Sequence, residues 1–288
     1  MMFFNRSYRM LIGRTSAIEI TDLRVTFEIE KLVSGLMNRA RFTVYNLKQD
    51  SRDRIKEEFD SIIFYAGYGG DNKLLFKGEV LNVSHMKIGP DWITEIYAGD
   101  GATALQKATI NESFEAGTQT ESVFNKLLSA MPGITKGTID GATECFKKNR
   151  SILKTALLSG SVKQFLDELS RNCGFDYSIN DEVLDVVSKD KVLEDVLPYK
   201  ISQRNGMIGS PEASIGRVKV STLLRPEIKP GRYIEIEAIS VKLNLGNGIT
   251  GRVQPSIVGK FKVIKLNHVG DTHGDWITEI EGVRLGAN

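Results

Sequence analysis

One hexapeptide occurs twice in this chain of 288 residues: Asp91-Trp92-Ile93-Thr94-Glu95-Ile96 returns unchanged as Asp275-Trp276-Ile277-Thr278-Glu279-Ile280, and the only two tryptophans lie inside it. About 40,000 window pairs set against about 60 million possible hexapeptides make chance a poor explanation, so the chain reads as an internal duplication. The flanks agree. Val80, Leu81, Val83 and His85 before the first copy match Val263, Ile264, Leu266 and His268 before the second. Each copy is a strand ending at His, a turn carrying Gly or Pro, and a return strand opening with Trp, which predicts a β-hairpin used twice.

Patterning around the repeat points the same way. In Leu23–Glu30 every odd position is apolar and every even one polar, as a strand with one face in a core requires. Ala40, Phe42 and Val44 alternate similarly, Asp50 to Phe59 reads as one short helix with Ile55 and Phe59 on its apolar side, and Ile62–Tyr68 is a strand stopped by a Gly-Gly-Asp-Asn turn. Many short strands and one helix in about 100 residues suggest a small barrel or sandwich. After Gly99-Asp100-Gly101 the texture turns helical. Thr118–Glu121 and Ser161–Gln164 have capping-box spacing, Gly174 is placed to end the second helix, and Phe175–Ile179 with Val183–Val187 make a hairpin around Asn180-Asp181. Strand character resumes at Arg217, and Gly246-Asn247-Gly248 reads as a loop. The expected fold class is α+β, mainly β: a β domain over 1–104, a small α/β insert domain over 105–204 and a related β domain over 205–288.

Length, 41% hydrophobic and 26% charged residues suit a globular chain able to bury sizeable cores. No apolar run approaches the ~20 residues that span a bilayer, and the first residues lack a signal-peptide core, so folding in a cytosol and no membrane insertion are expected. Cys145 and Cys173 belong to no metal-spaced pattern and read as two reduced thiols. A net charge of +2 and a pI near 8.4, below the ~9 of dedicated nucleic-acid binders, argue against tight DNA binding; Lys147-Lys148-Asn149-Arg150 reads as a solvated loop.

No Walker loop, GxSxG elbow or HExxH is present, so no catalytic residue is assigned. The one dense group of ligand types is His268, Asp271, His273 and Asp275. Such residues could hold a divalent metal in a hydrolase, but Asp and Gly are also chosen for turn geometry, and the first repeat keeps only Asp91 there. The turn reading is preferred, with no metal and no cofactor. His85 and His268 end equivalent strands and read as structural. Trp92 and Trp276 could stack on sugar rings in a carbohydrate-binding module if exposed; their alternation with Thr94 and Thr278 instead suits core packing. Glu95 and Glu279 fall on the opposite, solvated face.

Several stretches together resemble the central baseplate hub proteins of bacteriophage tails. They are Asn205–Glu212, Leu223–Arg232 and His268–Trp276, joined at the front by Leu23–Glu30, Tyr45-Asn46-Leu47 and Tyr65–Tyr68, and in the middle by Ser161–Val187. The resemblance covers nearly the whole chain. It implies two tube-type β-barrel domains and a non-enzymatic virion component of the tail baseplate, assembled in the host bacterial cytoplasm. It also implies a homotrimeric ring joining a six-fold tail tube, or tube initiator, to a trimeric spike among other baseplate proteins, with DNA only in transit through its channel. No lysozyme or spike segment follows residue 288, so wall-degrading and membrane-piercing functions are expected on other chains.

Overall fold

The computed structural model of the chain describes residues 5–14, 17–55, 61–140, 145–146, 156–194, 197–214, 216–244 and 250–284. Its first part carries β1 (Arg6–Ile12), β2 (Ile18–Ile20), β3 (Val25–Leu32), β4 (Arg39–Tyr45), helix α1 (Gln49–Arg54), β5 (Ser61–Tyr68), β6 (Asp71–Ile88) and β7 (Asp91–Gly99). The middle carries α2 (Ala102–Lys107), β8 (Thr109–Phe114), α3 (Thr120–Ser129), β9 (Thr135–Asp140), β10 (Ala156–Ser161), α4 (Val162–Cys173), β11 (Phe175–Asn180) and β12 (Val183–Ser188). The last part carries β13 (Tyr199–Ser202), β14 (Met207–Ser214), β15 (Arg217–Leu223), β16 (Tyr233–Asn244), β17 (Thr250–Asp271) and β18 (Trp276–Val283). The fold is α+β and mainly β.

A single sheet of 13 strands runs β13-β16-β14-β15-β18-β17-β3-β4-β7-β6-β5-β1-β2. Within it the order β3-β4-β7-β6-β5 is matched, strand for strand and antiparallel throughout, by β14-β15-β18-β17-β16. The repeat hairpins β6–β7 and β17–β18 therefore hold the same place in two equal runs. Even their irregularity recurs: the register slips by one residue at Leu81 in the first and at Ile264 in the second. In the second run β16 also touches β14 in parallel at Glu212–Ala213, so those five strands complete a pairing circuit.

Strand periodicity places the cores. Val25, Phe27 and Ile29 of β3 point inward with Phe42, Val44, Phe64 and Ile96 into one cluster, which also takes Leu224 and Trp276 from the last part of the chain. Val218, Val220, Ile234, Ile236, Val263, Leu266 and Ile280 form the corresponding cluster of the second run. A third packs Val123, Phe124 and Leu127 of α3 and Val162 and Leu166 of α4 against Phe175, Ile179 and Leu184. The i, i+4 spacing of Val162 and Leu166 gives α4 its buried stripe.

Several local expectations change. Neither α3 nor α4 receives a side-chain cap: Thr118 Oγ1 donates back to the Glu115 carbonyl, and Ser161 sits at the cap position of α4 without bonding through its hydroxyl. Gly174 does end α4 in the left-handed region, at φ 69°. Helix α1 stops at Arg54, and Phe59 lies outside the described residues, as do Lys147–Arg150 and Gly246–Gly248. Cys145 and Cys173 are not free thiols but a disulfide, with Cα atoms 5.5 Å apart. β13, in the stretch assigned to the insert, pairs with β16.

Candidate functional site

The two repeat tips are the natural place to look for function, because the same residues are placed in two surroundings. In both, the strand-ending histidine meets the threonine of the return strand: His85 Nδ1 lies 3.0 Å from Thr94 Oγ1, and His268 Nδ1 lies 2.9 Å from Thr278 Oγ1. Thr94 and Thr278 are both fully buried. His268 is buried as well, and burial, aided by the Lys31 charge, lowers its pKa to about 3, so it is neutral at physiological pH.

The tryptophans diverge. Trp276 is 1% exposed, packs edge-on to Phe27 at 5.8 Å and beside Tyr68 at 5.9 Å, and donates Nε1–H to the Asp271 carbonyl 3.0 Å away. It is a core residue of the other half of the molecule. Trp92, expected in the core by sequence, is 37% exposed, with the Arg52 guanidinium 4.0 Å from its ring centre and its backbone N–H donating to Asn46 Oδ1. The guanidinium covers one face of the indole ring.

The turn after β17 is sewn to β3. Lys265–Asp271 pair antiparallel with Leu32–Thr26, the Thr272 N–H donates to the Val25 carbonyl, and the Val25 N–H donates to Thr272 Oγ1. Arg24 forks onto both oxygens of Asp271 at 2.7 and 3.2 Å, which holds that carboxyl below the usual range. Arg6 donates to the Gly274 carbonyl and approaches Asp275. Gly270 is required for close approach: a Cβ there would run into the Phe27 ring and lie 2.7 Å from Trp276. The four ligand-type residues are thus not gathered. His268 faces the interior, Asp271 is committed to Arg24 and to the His273 N–H, and Asp275 is exposed. Among the described residues, no group of three or more His, Cys, Asp or Glu side chains is arranged to hold a metal ion.

A second constellation was not found by sequence reasoning. The β11–β12 turn carries Asp181 and Glu182 at positive φ (58° and 66°) and is driven into the first β region. Lys31 donates to Asp181 at 2.9 Å with both side chains almost wholly buried, Lys229 stands 3.7 Å from the other Asp181 oxygen, and Asp100 accepts the N–H groups of Asp181 and Glu182. Burial, then Asp181, raise Asp100 to about 7. Asn38 bridges from the Leu32 N–H to the Ile179 carbonyl and Asn180. On the other side Arg232 reaches Asp185 at 3.3 Å, and the buried Lys262 ammonium donates to the Ser188 and Lys189 carbonyls. The α/β part is therefore pinned to both β runs by desolvated charge. Its one signal in the sequence is Lys31, which continues the inward parity of Val25, Phe27 and Ile29 and so requires a buried partner.

The remaining concavity of note is a cleft between α3 and α4 lined by Val123, Leu127, Leu158, Phe165, Leu169 and the disulfide. Its lining is largely apolar, with Glu168 as its single ionisable group.

Comparison with known proteins agrees with this geometry. No curated protein matches the sequence. Among solved structures, the tail protein from Neisseria meningitidis MC58 superposes with a TM-score of 0.64 at 12% identity over 99% of this chain and 98% of that one. The 43 kDa tail protein of prophage MuSo2 from Shewanella oneidensis gives 0.66 at 8% identity over 98% of both chains. The E. coli c3393 protein, described as a type VI secretion component similar to the T4 tail proteins gp27 and gp5, gives 0.63 at 11% identity over 95% of this chain and 76% of that one. At such identities these likenesses speak for the fold. The family is fixed by sequence: the model for "Baseplate hub gp41" matches residues 10–246, and the chain belongs to that baseplate hub family of phage tail proteins.

Proposed function

We propose that this chain is a structural, non-enzymatic hub of the tail baseplate in the virion, in which three copies form a ring. Residues 1–104 and 205–288 are read as two related tube-type β-barrel domains, with 105–204 as the insert that lends β13 to the second. The observation that carries this reading is the equal strand order of the two runs, which gives each chain two similar units. Three chains then offer six similar surfaces to a six-fold tail tube or tube initiator, while true three-fold symmetry remains for a trimeric spike. Head-to-tail contact closed on itself is the ordinary way to build such a ring. Near-balanced charge favours a channel through which DNA passes without being held, since a wall clamping phosphates would need a strongly basic face.

The test is copy number and symmetry of this chain in purified tails. Three copies with both β units of each around the channel is the expected result. Six copies per tail, or three whose second β units lie away from the channel, would overturn the ring. Submicromolar, steeply salt-dependent duplex binding by the isolated protein would overturn the passive channel.

A further inference from the structure

The contact within one chain is a template for the contact between chains. β17 has two neighbours on one edge: β16 as far as Lys262, and β3 of the other run from Lys265 to Asp271. β6 is built to the same plan but lacks the second neighbour. β5 accompanies it from Asp71 to Glu79, and beyond that point the described strands bond to it only through β7, on its other edge. Exposed large apolar side chains lie on that segment and at the start of β7: Met86 at 38%, Ile88 at 56% and Trp92 at 37%. Their counterparts by the repeat are Val269, Asp271 and Trp276, the residues that meet β3.

Register identifies the missing neighbour. Within the chain Asp271 lies opposite Thr26. Thr26 faces Thr43, and Thr43 faces Glu95. Glu95 corresponds to Glu279 in the repeated hexapeptide, Glu279 faces Ser221, and Ser221 faces Ile208. The equivalent of Thr26 is therefore Ile208 of β14, and the equivalent of Asp271 is Ile88. An ion-paired, polar position in the contact already made becomes two isoleucines in the contact not yet made, and Ile208 is itself 40% exposed.

We propose that the tip of the β6–β7 hairpin docks on the start of β14 in a second copy of this chain, with Ile88 against Ile208 and Trp92 covered by the contact as Trp276 is covered within the chain. The proposal rests on the ring reading and names its interface. The contact is short, because β16 already takes the β14 edge at Glu212–Ala213 and bonds Ser210 through the Ser240 hydroxyl, leaving only Met207–Gly209. Two departures from the template compensate each other. Gly270 becomes Lys87, which could not approach a phenylalanine as Gly270 approaches Phe27. The β14 counterpart of Phe27 falls in the register shift between Ile208 and Glu212, where Gly209, Ser210 and Pro211 carry no large ring.

Cysteine pairing tests it on the full chain, whose two native cysteines are joined to each other. Ile88→Cys and Ile208→Cys in one chain, oxidised at the highest soluble concentration or in assembled tails, should give covalent dimers and ring-closed trimers. Ile239→Cys, exposed on β16, in place of Ile208→Cys should not. The fraction of tryptophan emission open to acrylamide should drop on assembly from Trp92's share, about half, to almost none, and Ile88→Asp should abolish both self-association and that protection. Trimers without the 88–208 cross-link would overturn this contact and leave the ring standing; chains that remain monomeric in tails and form no cross-link would overturn both. A cross-link within a single chain would also sink it.

Discussion

Two hairpin tips share a hexapeptide and a His–Thr contact, yet one is sealed in the protein interior and the other stands in solvent. The difference lies in the neighbour. Around Trp276 the other β run contributes Phe27, Tyr68 and the β3 edge; Trp92 instead meets Arg52 and Asn46 of its own run. Burial of this tryptophan is thus set by whether a second unit is at hand.

The largest expected contrast is between the tryptophans. Trp276→Ala should cost ~3–5 kcal/mol in denaturant unfolding, as truncation of a buried aromatic does, whereas Trp92→Ala in the isolated chain should cost about 1 kcal/mol or less. Equal losses would mean that Trp92 is already covered. Next comes pH. His268, neutral when folded with a pKa near 3 against 6.5 unfolded, contributes stability that is lost as pH falls below 6.5. Asp100, raised to about 7 from 3.8, keeps a proton in the folded state and acts with the opposite sign between those values. Between pH 3.8 and 6.5 the two oppose each other. Asp100→Asn should therefore lose stability on acidification and His268→Gln should gain it, each at roughly 1 kcal/mol per pH unit. Thermal midpoints across that range would read the tilts; parallel profiles would refute the opposition.

A smaller contrast concerns the residue beside each tryptophan. Gly270→Ala should cost ~1–3 kcal/mol, because the added methyl meets the Phe27 and Trp276 rings, and Lys87→Ala should stay within about 0.5 kcal/mol in the unassembled chain. The ranking reverses in meaning if the tip docks: Lys87→Ala would then alter assembly rather than folding. Smallest is the surface pair. Asp271→Asn should barely move the unfolding midpoint, since an exposed ion pair is screened by solvent, while Asp181→Ala leaves Lys31 buried without its partner and should cost several-fold more than that.

What could be read in advance follows the range of the interactions. Alternation in β3, the repeated hairpin and the helix-ending Gly174 are local, and they were legible because periodicity and backbone freedom are written residue by residue. Residue patterns near the ends of each half, together with the repeat, also carried the resemblance to baseplate hubs. The junction at Lys31, Asp100 and Asp181 joins positions up to 150 residues apart, so only the parity of Lys31 hinted at it. The Cys145–Cys173 bridge left no such mark: two cysteines in a cytosol-like composition read as thiols, and only packing brings them within bonding range. Trp92 failed for the opposite reason. The local pattern is the same as at Trp276, and the missing ingredient is a neighbour outside the pattern.

β17 belongs to both β runs, bonded to β16 along its first part and to β3 along its last. Ladder bonds lie across the strands, so a pull along β17 loads the whole row at once instead of opening it bond by bond. A tensile load entering one half of the molecule therefore passes to the other through shear of a shared strand. The molecule would stretch as one elastic body, with its yielding point elsewhere.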